Sequence, residues 1–73
     1  MFLSKNYYHQ FKTARSILHL TQKDVSKNIG LSLASYCAIE IGKSDPKIST
    51  ILKISDFFES KGILFQEDGN VTI

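Results

Sequence analysis

The 73 residues carry nine Lys and Arg against seven Asp and Glu, 42% apolar residues, one proline and one cysteine. That length suits a single small globular domain, 1–73, and leaves no room for a separate sensor or protease half. No apolar run approaches about eighteen residues, no charged start precedes a small-residue cleavage site, and one cysteine cannot close an internal disulfide. The expectation is therefore a cytoplasmic chain with no membrane partner. The net charge of +2 is unevenly spread: residues 1–53 hold eight Lys and Arg against three acids, whereas residues 54–73 hold Lys61 against Asp56, Glu59, Glu67 and Asp68. A basic portion of this kind suits a surface that approaches phosphates, although surface lysines also keep small domains soluble.

Met1 to Asn6 shows no periodicity and reads as a loosely held arm. The spacing then predicts a helix from about Tyr7 to Leu18, with Phe11, Ala14 and Leu18 on one face, Lys12 opposite, and Arg15 beside the apolar stripe. His19 and Leu20 form the junction that follows. Thr21 is placed to cap a second helix on which Val25 and Ile29 fall on one face, and Gly30 supplies a residue able to take positive φ where that helix ends. Leu31 makes an elbow, and Ser32 caps a third helix, about Leu33 to Ile41. On it Tyr36, Ile39 and Glu40 share the inner face while Leu33, Ala34, Cys37 and Ala38 turn away. Two short helices across a tight turn are the layout of a helix-turn-helix, whose second helix can enter a DNA major groove.

The residues Thr21, Gln22, Val25, Ser26, Gly30, Leu31, Ser32, Ile39, Glu40, Gly42, Lys43 and Pro46 together make a spaced pattern. In it the chain resembles the Cro and phage-repressor type of helix-turn-helix protein, the XRE family, over roughly Phe11 to Phe58. The resemblance implies a mainly α, four-helix lambda-repressor-like domain. It also implies an ion pair between Arg15 and Glu40, in which each partly buried charge makes the other tolerable. Phosphate contacts fall on Thr21, Gln22 and Lys23 at the positive end of the second helix, and on Lys43, Ser44 and Lys47 in the loop after the third. The base-facing set is Ser32, Leu33, Ala34, Ser35 and Ala38. Here the chain departs from its family, which carries glutamine, arginine or asparagine at these positions. Of Leu33, Ala34, Ser35 and Ala38 only Ser35 can exchange hydrogen bonds with a base, so the bidentate contacts worth roughly 1–3 kcal/mol of discrimination are missing. Three explanations compete: T-rich sites read through methyl contacts and DNA shape, binding of low specificity, or a helix repurposed for a protein partner. His19 stands where the family has glycine, so a strained or differently wound turn is expected there.

Ser49 or Thr50 is expected to cap a fourth helix running to about Ser60, with Ile48, Ile51, Leu52, Ile54, Ser55 and Phe58 toward the core and Phe57 in want of another partner. After Lys61-Gly62 two β-prone runs surround Glu67-Asp68-Gly69, which predicts a C-terminal β-hairpin over about 63–73. A three-residue loop with Gly69 left-handed pairs Phe65 with Val71 and Ile63 with Ile73, matching apolar with apolar. A two-stranded ribbon is marginal alone, so the expected homodimer contact is Phe57, Leu64, Phe65, Val71 and Ile73.

These readings amount to a dimeric, sequence-specific regulator of transcription that occupies an operator in double-stranded DNA as a repressor. A protein-interaction module on the same fold, such as an antitoxin or anti-regulator, is the alternative. No nucleophile–base pair, paired carboxylate site or phosphate-cradling glycine loop points to an enzyme. His9, His19 and Cys37 lack metal-ligand spacing, so no metal, cofactor or small-molecule ligand is expected. Cys37 reads as a small thiol at a packed edge.

Overall fold

A computed structural model describes residues 7–73, and the expectation for Met1 to Asn6 lies outside them. Four helices, α1 Tyr7–Ile17, α2 Gln22–Ile29, α3 Leu33–Glu40 and α4 Ile48–Ser60, precede a hairpin of β1 Leu64–Phe65 and β2 Val71–Thr72. The fold is thus mainly α with an antiparallel two-stranded C-terminal hairpin, as the sequence predicts.

The core is built where the helical and strand periodicities converge. Phe11 and Ala14 from α1, Val25 and Ile29 from α2, Tyr36 and Ile39 from α3, and Ile54 and Phe58 from α4 are buried together with Ile63 and Phe65. Phe11, Phe58 and Phe65 form a triangle with ring centroids 5.9–6.2 Å apart, which fastens the hairpin to α1 and α4. Fully burying a phenylalanine contributes about 1.5–3 kcal/mol, so this triangle is a large share of what a domain of this size can muster. A second tie is polar: the buried Gln10 donates from Nε2 to the Gln66 carbonyl at 3.0 Å.

The hairpin register is the one that matches apolar residues, with Leu64 opposite Thr72 and Phe65 opposite Val71. Gln66 N–H donates to Asn70 O at 2.8 Å, and Gly69 has φ +95°, so the turn is the three-residue kind.

Several expectations are corrected. Helix α4 begins at Ile48, with Lys47 in the cap position making no side-chain cap bond, so neither Ser49 nor Thr50 caps it. A hydroxyl cap is worth only about 1 kcal/mol, which the backbone bonds from Thr50 and Ile51 to Lys47 O replace. Ile48 is 75% and Leu52 41% exposed; Ile48 sits in the first turn, which overhangs the core, and Leu52 lies off the Ile51–Ile54–Ser55–Phe58 stripe. Ile73, expected to pair with Ile63, lies beyond β2, which ends at Thr72, and is 74% exposed, while Ile63 drops fully into the core, its N–H donating to Phe58 O at 3.1 Å. Phe57 is half-buried against Phe58, with the Lys61 ammonium 5.8 Å above its ring. Phe65 is 5% exposed and belongs to this chain's own core, which removes it from any surface offered to a second copy.

Candidate nucleic-acid interface

The α2–turn–α3 unit is closed at both ends by local hydrogen bonds. The Thr21 hydroxyl accepts from Asp24 N–H at 3.0 Å and the Asp24 carboxylate accepts from Thr21 N–H at 2.9 Å, a reciprocal cap that holds the Asp24 carboxyl below its ordinary value. The T-x-x-D spacing carried that signal, and Asp24 was missed as the second half of the box. At the other end of α2, Gly30 takes φ +74° and Leu31 N–H reaches back to Ser26 O at 3.0 Å. Ser26 is buried where α2 meets α3, and its hydroxyl is satisfied by Lys23 O at 3.0 Å.

Glu40 joins α1, α2 and α3. Arg15 Nε donates to its two carboxylate oxygens at 3.2 and 3.0 Å, and Arg15 Nη2 to Oε1 at 2.9 Å, while Arg15 Nη1 holds Leu20 O at 3.0 Å. Gln22 Nε2 adds a longer bond to Oε1 at 3.3 Å. Burial is the largest single influence and opposes the charge on Glu40, but the hydrogen bonds from Arg15, Tyr36 and Gln22 and the charge of Arg15 together outweigh it and hold the carboxyl below its ordinary value. Hydrogen bonding to Glu40 correspondingly raises the Arg15 guanidinium. The buried Tyr36 hydroxyl faces the same carboxylate without completing a hydrogen bond of good geometry, and burial first, then Glu40, pushes its phenol far above the ordinary value. Gln22 spends one amide hydrogen on Glu40 and keeps a second for an external acceptor.

The expected phosphate set lies around this unit. Thr21, Lys23, Lys43 and Lys47 are exposed, Gln22 and Ser44 half-buried. The loop holding Lys43 to Lys47 is aimed by Gly42, whose φ of +77° lets Lys43 N–H return to Ala38 O at 2.9 Å. A Cβ at Gly42 would lie 3.3 Å from the Tyr8 ring, so only glycine lets α1 approach this turn without a shift.

The outward side of α3 presents Leu33, 45% exposed, with Ala34 and Ser35 exposed and Ala38 half-buried. Ser32 is largely committed: its oxygen accepts from Ser35 N–H at 3.1 Å and its hydroxyl donates to Ser35 Oγ at 2.8 Å. A shallow depression of about 440 Å³ runs beside these residues, with Leu31 and Ile39 at its base and Ser44, Pro46 and Thr50 on its far wall. Ile41, 58% exposed at the end of α3, extends the apolar character and was missed because it was read as the helix's last residue rather than as surface.

Residues 8–61 match a family described as a helix-turn-helix domain. The chain belongs to the helix-turn-helix domain family. A relative in Methanocaldococcus jannaschii, named an uncharacterized HTH-type transcriptional regulator, is 40% identical over 53 residues, 73% of this chain and 80% of that protein. No solved structure matches the chain. Within the helix-turn-helix unit α3 is the second helix, and among the described residues no helix is long and apolar enough to cross a membrane.

Proposed function

We propose that this helix-turn-helix chain is a DNA-binding regulator of transcription of the Cro and phage-repressor (XRE) type, and that it represses by occupying an operator as a dimer. The observation that carries the reading is an exposed α3 braced from behind by Glu40 and flanked by Lys43 and Lys47 on the loop that follows it. The regulator relative supports it. Phosphates beside the groove meet the two lysines, the free amide hydrogen of Gln22, and Thr21, Lys23 and Ser44, while α3 lies against base edges. The dimer is supported by Leu64, 55% exposed, and Ile73 on the outer hairpin, and by geometry: two recognition helices about 34 Å apart meet one face of a duplex.

Measuring duplex affinity by mobility shift over a range of salt tests this. Lys43→Ala is expected to weaken binding to all sequences alike and to reduce the slope of log K against log salt by about one unit. If Lys43→Ala and Lys47→Ala both follow the parent protein at every salt concentration, the phosphate assignment is wrong. The apolar exposure of Leu33 and Ile41 favours one second reading, a protein-binding module such as an antitoxin, and that reading gains if no duplex binds.

A further inference from the structure

The outward face of α3 is almost stripped of the groups that tell bases apart by hydrogen bonding. Leu33, Ala34, Ala38 and Ile41 present only carbon, Ser32 is spent on Ser35, and the Ser35 hydroxyl accepts from Ser32 Oγ at 2.8 Å and keeps only its O–H to offer. No amide or guanidinium lies on this face to make a bidentate contact. Beside it, the depression lined by Leu31, Ile39, Ala34, Ala38 and Pro46, together with the hydroxyl-bearing Ser35, Ser44 and Thr50, offers a mainly apolar recess. Its surroundings are net cationic: Lys43 and Lys47, both exposed, bracket the loop segment that forms the far wall, against the single exposed acid Asp45 between them. An apolar recess between cations suits a polyanion that displays small apolar groups at its surface.

We propose that α3 reads the C5-methyl group of pyrimidines, so that the protein selects thymine by its methyl and accepts 5-methylcytosine in thymine's place. The inference rests on the DNA-binding reading above and adds the chemistry of discrimination. In the major groove each base edge presents donors and acceptors, and the only apolar feature is the methyl at C5 of thymine. A methyl enters an alanine-lined recess with a gain and no unmet hydrogen bond, whereas a bare C5–H leaves the recess partly empty. Cytosine methylated at C5 carries the same group at the same place on the groove wall. The short side chains of Ala34 and Ala38 also let the helix backbone come closer to the bases than glutamine or arginine would, which brings the recess within reach of the methyl.

The test uses the full chain and duplexes enriched from a random pool, titrated by fluorescence anisotropy at fixed salt. Each enriched duplex is made with thymine or with deoxyuridine throughout, and a cytosine-rich duplex is made unmethylated or with 5-methylcytosine. Replacing thymine by deoxyuridine is expected to weaken binding about fourfold for each methyl contacted, and 5-methylcytosine to strengthen it by a similar factor. Ala34→Gln, which puts an amide at the edge of the recess, is expected to weaken binding to the thymine duplex and to lose most of the thymine-over-deoxyuridine ratio, the ratio being the readout. Equal affinity for thymine and deoxyuridine duplexes, or for methylated and unmethylated ones, overturns the inference while the DNA-binding reading stands. Failure to bind any duplex overturns both and leaves the face to a protein partner.

Discussion

Glu40 has a side chain only 2% exposed, and it stays ionised because Arg15, 18% exposed, meets it with three hydrogen bonds. The two partners are not equivalent. Arg15→Ala strands a buried carboxylate beside the unpartnered Tyr36 hydroxyl, whereas Glu40→Ala leaves a guanidinium that can swing toward water. Arg15→Ala is therefore expected to cost about 2–3 kcal/mol, at or just below the lower end of the range for broken buried pairs because Arg15 is partly wet, and Glu40→Ala less. The double variant should be more stable than the sum of the singles predicts, and thermal melts of all four proteins check this. The folded Glu40 carboxyl releases its proton more readily than the unfolded one, so its contribution is complete above the ordinary value of 4.5 and drains as pH falls through the lower folded value. Melting temperature against pH should accordingly fall more steeply in acid for the parent than for Glu40→Gln. His19 is the other costly residue. It takes φ +57° as the left-handed residue ending α1, with its N–H on Ser16 O and Leu20 N–H on Arg15 O, both at 3.1 Å. The turn is wound as glycine would wind it, and histidine bears the strain of a conformation costing L-residues about 1–2 kcal/mol. His19→Gly is expected to stabilise by about 0.5–1 kcal/mol after the extra freedom glycine gives the unfolded chain, and calorimetry reads this as a higher Tm.

At the scale of elements, the sequence revealed most where a residue's local chemistry and its tertiary use agree. Thr21, Gly30 and Ser32 mark the ends of α2 and α3 because caps and left-handed glycines act within one turn, and the register of the hairpin follows from pairing Phe65 with Val71. The inner face of α3 was legible too, since Tyr36, Ile39 and Glu40 are spaced to fall together. The start of α4 was not. Ser49 and Thr50 have the chemistry of caps, but where the chain winds up after Pro46 is decided by the loop's path, and periodicity holds no record of it. The exposure of Ile48 and Leu52 escaped for a related reason: a helical wheel tells which side is apolar and not how far the core extends along the axis. The depression beside α3 was equally hidden, because Pro46 and Thr50 reach it from a different element. Of the site itself, the bracing pair Arg15 and Glu40 was legible through the family resemblance, while the commitment of Ser32 to Ser35 depends on rotamers that a sequence does not specify.

For the molecule as a whole, the hairpin is part of the core. Cutting the chain after Gly62 removes Ile63 and Phe65, each worth about 1.5–3 kcal/mol of burial, from a domain whose total stability is on the order of 5–15 kcal/mol. The truncated chain is expected to show no cooperative melt, so truncation cannot test the proposed dimer. Leu64→Glu can, since it charges an exposed position and leaves the core intact. Sedimentation should then show a monomer with an unchanged melting profile, and a variant that still dimerises would place the contact elsewhere. The bond from Gln10 to Gln66 and the edge-on packing of Phe11 against Phe65 have one more consequence, because they join segments more than fifty positions apart. A ribosome delivers α1 early and Phe65 late, so during synthesis Phe11 and Phe58 wait beside an empty slot. The nascent chain can form its helices one by one, yet α2 and α3 rest on a finished core only after residue 65 has cleared the exit tunnel, which makes the hairpin, and not any helix, the element whose emergence completes the fold.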